Sequence, residues 1–472
     1  MKNLTLENIT KACNGKLYEG GTERKPGMSA PKSGEGETVK GVVLDSRKVE
    51  EGYLFVATAG ARVDGHSFIP QVLRKGAAGV VCEKLPDAVD GNGCFILVED
   101  SFQALKDIAE FYREQLFVTV VGITGSVGKT STKEFVASVL AEKYKVLKTE
   151  GNFNNEVGLP LTVLQIRDCH QVAVVEMGIS DFGEMHRLSK IAKPDVCVLT
   201  NIGQCHLENL KSRQGILKAK TEMFDFMKED GLVCLNGDDD MLATVTEVKG
   251  KKPVTFGRGK ENRVYADAVE NKGLFGSRVV LHVDGTEFTA DIPLPGEHMV
   301  YNALAAVCVG SLLGMTAEEM RGGLANVKAV GGRSHIIRLA DRVVIDDCYN
   351  ANPVSMCAAL DLLCTALTRK VAVLGDMFEL GEKEREMHSK VGAYAVEKGV
   401  DVLVCIGALA EEMYKEAQKA VSGTGSGTQV HYFAEKEGFL EKQGDILQAG
   451  DTILVKASHG MAFEEVIQVL GQ

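Results

Sequence analysis

A glycine-punctuated turn between a β-branched run and an amphipathic segment constrains this chain more than any other feature. Residues 122–133 read GITGSVGKTSTK. The preceding VTVVGIT (118–124) has the pattern of a buried strand, and beyond the turn Phe135, Val136, Val139 and Leu140 share one face of a helix. Gly125 and Gly128 let the backbone approach phosphate oxygens and aim its N–H groups at them, and the helix N-terminus adds partial positive charge. Lys129 supplies a full charge for β- and γ-phosphates, and the Thr130 hydroxyl is placed to ligate Mg2+. The general phosphate-loop pattern has glycine five positions before Gly128, where this chain has Ile123. An ordinary glycine-rich strand–helix turn is the competing reading. Strand, turn, Lys-Thr pair and helix together favour a nucleoside triphosphate site.

The same alternation of short apolar runs and amphipathic stretches continues on both sides, which predicts α/β architecture with largely parallel sheets. QVAVVEM (171–177), DVCVLTN (195–201) and GLVCLN (231–236) read as further strands of the sheet that carries the turn. SRVVLHVDGTEFTA (277–290) alternates about Asp284-Gly285, a dipeptide suited to the positive φ angles of a tight hairpin. RVVIDD (342–347), KVAVLGD (370–376), DVLVCIG (401–407) and DTILVKA (451–457) form a second series, expected to build another doubly wound sheet. A polar segment at 20–39 and SGTGSG at 422–427 read as loops. With 472 residues, three domains are expected: 1–113, a central 114–328 around the phosphate loop, and a Rossmann-like 329–472.

Charge and cysteine usage narrow the partners. A formal net charge of −12 argues against a general nucleic-acid binder, which needs clustered Lys and Arg. No run of about 18 apolar residues is present to span a bilayer, and MKNLTLENIT lacks the basic-then-apolar start of a secretion signal. The twelve cysteines form no CxxC pair. Cys197, Cys234 and Cys405 sit inside apolar strand-like runs, as reduced thiols do in a cytoplasmic protein.

TGSVGKTST, with Thr124 in place of a leading glycine, resembles the phosphate loop of the Mur ligases. GNFNNEVGLPLTVL (151–164), EMGISDFGEMHRL (176–188) and TNIGQCHLENLKSRQGILKAKTEMF (200–224) follow in that family's order and spacing. So do PGEHMVYNALAA (295–306), GGRSHIIRLADRVVIDDCYNANP (331–353) and LGDMFELG (374–381). DSRKVEEGYLFVATAGARVDGHSF (45–68) looks like the family's uridine-binding domain. GNFNNEVG, YNANP and LGDMFELG resemble the branch that adds D-alanyl-D-alanine to UDP-N-acetylmuramoyl-tripeptide. The DNPR motif typical of the diaminopimelate-adding branch is absent. One departure is Lys456-Ala457-Ser458-His459, where the family usually reads Lys-Gly-Ser-Arg.

The resemblance implies ATP and Mg2+ as cofactors, an acyl phosphate intermediate and attack by the dipeptide amine, in a cytoplasmic monomer. It assigns nucleotide contacts to Thr124, Gly125, Ser126, Val127, Gly128, Lys129, Thr130 and Ser131, with Asn302 at adenine, Arg333 at the γ-phosphate and Asp347 at the ribose. Asp346 is the neighbouring alternative to Asp347. Thr130 and Glu176 are expected to hold one Mg2+ and His206 a second, with Lys220 carbamylated beside it. Each has a plainer reading: Glu176 as a capping or paired carboxylate, His206 as a core histidine, Lys220 as a surface helical lysine and Asn302 as a cap. Asn155 is expected beside the transferred phosphate. Ser46 and Arg47 are expected at the uridine diphosphate, although Arg47 also reads as a surface charge. Asn350 and Asn352 either bind the incoming dipeptide or shape the turn before Pro353. The runners-up are a ligase of the same type adding a diamino acid or glutamate, and a nucleotide-dependent switch using the same loop.

Overall fold

The apolar runs assemble into three sheets in the computed structural model, which describes residues 1–24, 38–60, 63–86, 93–329 and 331–471. In the N-terminal sheet the strands Gly41–Val43, Tyr53–Val56, Gly79–Cys82 and Cys94–Leu97 run parallel in that order. Lys16–Glu19 and Thr22–Glu23 add an antiparallel edge. Thr22–Glu23 falls inside the segment 20–39 expected as loop, and residues 25–37 of that segment lie outside those described.

The central sheet has nine strands, and the phosphate-loop strand Thr119–Thr124 lies between Val172–Glu176 and Val196–Leu199, parallel to both. Chain order reverses there, because Val146–Lys148 and Val172–Glu176 lie on one side and Val196–Leu199 and Leu232–Asn236 on the other. Ligands of open α/β sheets bind at the carboxyl ends of strands beside such a reversal. The expected hairpin is formed by Ser277–Val283 and Thr286–Ile292, with Asp284 and Gly285 at φ +50° and +78°. It joins this sheet as its antiparallel edge.

The C-terminal sheet repeats the logic. Thr452–Lys456 is inserted between Val343–Asp346 and Lys370–Gly375, parallel to both, with Val402–Ile406 and Gln429–Phe433 beyond. His335–Arg338 pairs antiparallel at the opposite edge. The SGTGSG segment is only partly a loop, since the helix Ala410–Thr424 runs into it and stops at Gly425, φ +69°.

Burial follows the expected faces. Phe135, Val136, Val139 and Leu140 of the helix Lys129–Ala141 pack under the central sheet with the almost wholly apolar helix His298–Leu312. The helix Ser101–Glu114 covers the other face and joins its core to that of the N-terminal sheet. Its buried Arg113 donates to the Ala192 carbonyl at 2.8 Å, and the Tyr112 hydroxyl donates to the Ile166 carbonyl at 2.6 Å.

In the C-terminal region the helices Glu384–Glu397 and Ala410–Thr424 touch backbone to backbone at Gly392. A Cβ there would collide with the Met413 carbonyl. Gly392→Ala is therefore expected to destabilise the protein by about 1 to 3 kcal/mol, the usual range for overpacking. A melting temperature equal to wild type would contradict this packing.

Candidate active site

The carboxyl ends of the central and C-terminal sheets open onto one cavity of about 1070 Å³. Ser126, Val127, Gly128, Lys129, Thr130 and Ser131 of the phosphate loop line it, as do Asn155, Glu176, His206, Asn302, Arg333, Asp347, Asn350 and Asn352. Residues spread over more than two hundred positions of sequence thus meet in one space. Thr124 and Gly125 lie behind the wall, and Ser46 and Arg47 lie in the N-terminal sheet region, away from it.

The loop conformation needs its glycines. Gly128 sits at φ +85° just before the helix, and Gly125 at φ +155°, where a Cβ would collide with Thr200 Oγ1. The loop is also pinned from outside. Ser126 Oγ accepts the Gly203 N–H at 2.9 Å, and Asn201 Oδ1 accepts the Val127 N–H at 2.9 Å. The Lys129 ammonium donates to the Gly125 and Ser126 carbonyls at 2.9 and 3.4 Å. Thr130 is the second residue of the helix and is buried.

Glu176 ends its strand almost fully buried. Oε1 accepts the Asn154 amide at 2.7 Å, whereas Oε2 has no hydrogen-bond partner among the described residues. A buried carboxylate oxygen without a donor is costly unless a cation or water completes it. Lys133, equally buried, stands 4.0 Å from that oxygen and donates to the Thr149 carbonyl at 2.7 Å. The donor set suits Mg2+, which takes few protein carboxylates and keeps phosphate and water oxygens for the rest. Among the described residues no three His, Cys, Asp or Glu side chains converge as a dedicated metal cage.

His206 lines the cavity with Nδ1 at 3.3 Å from Glu379 Oε2. Burial, then the nearby Lys129 charge, lowers its pKa and favours the neutral ring. Lys220 lies outside the cavity wall and is 1% exposed, which rules out the surface-lysine reading. Among the described residues its amine makes no hydrogen bond or ion pair. Burial and the Lys129 charge bring its pKa down to about 7.

Asn302 is buried within its helix, accepts the Thr132 hydroxyl at 2.8 Å and is not a cap. Arg333 stacks its guanidinium 4.2 Å from the Tyr349 ring centroid. Asp347, not Asp346, faces the cavity. Asp347 accepts the Ser334 N–H at 2.8 Å and Lys456 Nζ at 2.6 Å, while Asp346 is tied beneath to the Gly332 N–H. Asn155 accepts the Gly158 N–H at 2.9 Å. Asn352 caps the helix Pro353–Leu363 in a reciprocal bond with Ser355, so it shapes the turn while also lining the cavity. Asn350 accepts the Ala351 N–H with its side chain. Arg47 is exposed and paired with Asp45, and buried Ser46 offers its carbonyl to Lys75.

Sequence reasoning missed Lys456, which is buried at the end of its strand and lines the cavity. Its position at a carboxyl strand end was the available signal. The motif departure falls elsewhere. Ser458 Oγ accepts the Phe378 N–H at 2.9 Å, and the His459 ring stacks on Tyr349 with centroids 5.3 Å apart. Asn154 and Lys133, which flank Glu176, were also unforeseen.

Comparison with known proteins identifies the family. Residues 38–113 match the model of the Mur ligase family catalytic domain, 123–310 the Mur ligase middle domain, and 332–459 the Mur ligase glutamate ligase domain. The UDP-N-acetylmuramoyl-tripeptide–D-alanyl-D-alanine ligase of Bacillus subtilis (strain 168) is 38% identical over 92% of this chain and 94% of its own length. MurF from Acinetobacter baumannii superposes with a TM-score of 0.86 at 30% identity, covering 99% of this chain and 98% of that one. MurF from Thermotoga maritima, solved in complex with ADP, gives 0.79 at 30% identity over 92% and 97%. Three consecutive domain matches and relatives aligned over most of both chains make this chain a member of the Mur ligase family.

Proposed function

We propose that the protein ligates D-alanyl-D-alanine to UDP-N-acetylmuramoyl-tripeptide with ATP, yielding ADP, phosphate and UDP-N-acetylmuramoyl-pentapeptide for peptidoglycan synthesis. The observation that carries this reading is the single cavity in which the phosphate loop, Glu176 and His206 face Arg333, Asp347 and Lys456. A carboxylate is a poor electrophile, so the γ-phosphoryl group is first transferred to the tripeptide carboxylate. The dipeptide amine then attacks the acyl carbon, and phosphate leaves with the bonding electrons.

Two anions must approach for the first step, so the cations of the wall do the principal work. Lys129 and the loop N–H groups bind the β- and γ-phosphates, and Arg333 reaches the γ-phosphate from the C-terminal side. Asp347, held by Lys456, binds the ribose, and Asn302 contacts adenine. Thr130 and Glu176 would hold Mg2+, and His206 with a carbamylated Lys220 would hold a second ion. Bound Mg2+ supplies charge neutralisation of the phosphoryl oxygens. Asn155 lies beside the transferred phosphate, and Asn350 and Asn352 border the dipeptide site. Drawing the two sheets together excludes water, which would otherwise hydrolyse the acyl phosphate.

Residues 1–113, with Ser46 and Arg47, anchor the uridine diphosphate, 114–328 bind ATP, and 329–472 bind nucleotide and dipeptide. The protein works as a cytoplasmic monomer. No helix among the described residues is long and apolar enough to cross a membrane.

Phosphate release across a panel of UDP-peptides and amine acceptors tests the assignment. Release is expected only with UDP-tripeptide and D-alanyl-D-alanine together. Faster release with free diaminopimelate and a UDP-dipeptide would overturn it, and ATP hydrolysis without acceptors would favour the switch.

A further inference from the structure

His206 and Glu379 meet across the boundary between the central and C-terminal sheets, and both hold unusual backbones. Their φ angles are +51° and +61°, in the left-handed region that side-chain-bearing residues rarely enter. Such conformations persist where the surroundings over-determine them, and they gather at functional sites. The surroundings of Glu379 are of that kind. Asp376, at the end of its strand, accepts the Leu409 and Ala410 N–H groups at 3.0 and 2.7 Å. The Met377 N–H donates to buried His388 Nε2 at 2.9 Å, and the Phe378 N–H to Ser458 Oγ at 2.9 Å. Three successive residues are thus anchored immediately before Glu379. Its carboxylate is 72% exposed, yet Oε2 lies 3.3 Å from His206 Nδ1.

Stability does not account for this presentation, because a carboxylate so exposed, beside a ring held neutral, contributes little. Its chemistry is more specific. A carboxylate at one imidazole nitrogen keeps the proton there and commits the other nitrogen to a different partner. The central sheet carries His206 and the C-terminal sheet carries Glu379, so the commitment depends on the two being apposed.

We propose that Glu379 is a positioning residue of the reaction: it engages His206 Nδ1 when the C-terminal sheet closes on the central one and reserves Nε2 for the reacting phosphate and its cation. This rests on the ligase reading given above. Closure thereby orients a group of the opposite domain, in addition to excluding water.

Single-turnover ligation and hydrogen exchange on the full-length chain test the pair. Glu379→Ala is expected to lower the rate about tenfold while KM for ATP and UDP-tripeptide stays within twofold. Glu379→Gln, which keeps a carbonyl acceptor, should recover most of that loss. Adding Glu379→Ala to His206→Ala should change the rate less than twofold. With ADP bound, amides 204–210 should exchange several-fold faster in Glu379→Ala than in wild type. An unchanged rate, a further tenfold loss on the His206→Ala background, or equal exchange protection would overturn the proposal. Failure of the wild type to ligate would instead remove the ligase reading, and the exchange comparison would still decide the pair.

Discussion

Lys129→Ala is expected to lower ligation about 10²- to 10³-fold, the scale reported for removing one preorganised electrostatic partner from a phosphoryl or acyl transfer site. The fold should survive, because among the described residues the Lys129 ammonium bonds only the Gly125 and Ser126 carbonyls of its own loop. That loop is separately held by Asn201 and Gly203 through bonds that the mutation leaves in place. Circular dichroism and melting should therefore match wild type while phosphate release collapses. Near-normal turnover would remove the phosphate loop from the mechanism. His206 provides an internal check. The Lys129 charge is the second cause, after burial, that lowers its pKa, so the histidine pKa should rise toward its ordinary value in the mutant.

The second large effect is expected at Lys220. An amine reacts with CO2 only when neutral. A pKa near 7 leaves about half of the groups neutral at that pH, against roughly one in several thousand for an ordinary lysine. The carbamate replaces a buried ammonium by an anion with oxygen acceptors, in a place where Lys129 already repels positive charge. Lys220→Ala is expected to lose at least about 100-fold in rate, with part restored by millimolar acetate filling the vacated volume. Wild-type activity should fall when CO2 is stripped from the buffer and, at fixed CO2, recover as pH rises through about 7. The sign follows from the depressed pKa: the folded protein sheds this proton near 7, whereas the unfolded chain keeps it to about 10.5. Over that interval the unfolded state binds more protons, so this group's contribution to stability rises with pH. Full activity of uncomplemented Lys220→Ala would refute carbamylation.

Local pattern revealed a good deal of this molecule. Strands such as Val172–Glu176 and Val402–Ile406 are buried on both faces, so every residue is apolar until the functional end, and the run is visible without any partner. The phosphate loop was legible because its chemistry demands glycine, lysine and hydroxyl at fixed offsets. Gln429–Phe433 and His335–Arg338 escaped notice because they are edge strands of mixed polarity. The plainer reading of Lys220 as a surface lysine rested on Lys218 two positions away and the mixed polarity of the segment; packing from other parts of the chain buries it. Lys456 and Glu379 were hidden for a related reason. Each gains its meaning from a residue more than a hundred positions away, Asp347 for one and His206 for the other. Periodicity does not report such separations. The choice between Asp346 and Asp347 likewise needed the pleat of a real strand end, where one side chain turns under and the next outward.

The turn bearing Ser46 and Arg47 belongs to the N-terminal sheet and lies outside the cavity wall that the other two sheets share. On the proposed assignment, a substrate tethered there by its nucleotide would have to extend its peptide to reach Lys129 and Arg333, and the protein would gauge its acceptor as a caliper does. A peptide one residue short would still saturate the tether yet hold its carboxylate out of register with the phosphoryl donor. Selection for a complete tripeptide would then show as lost turnover with retained affinity.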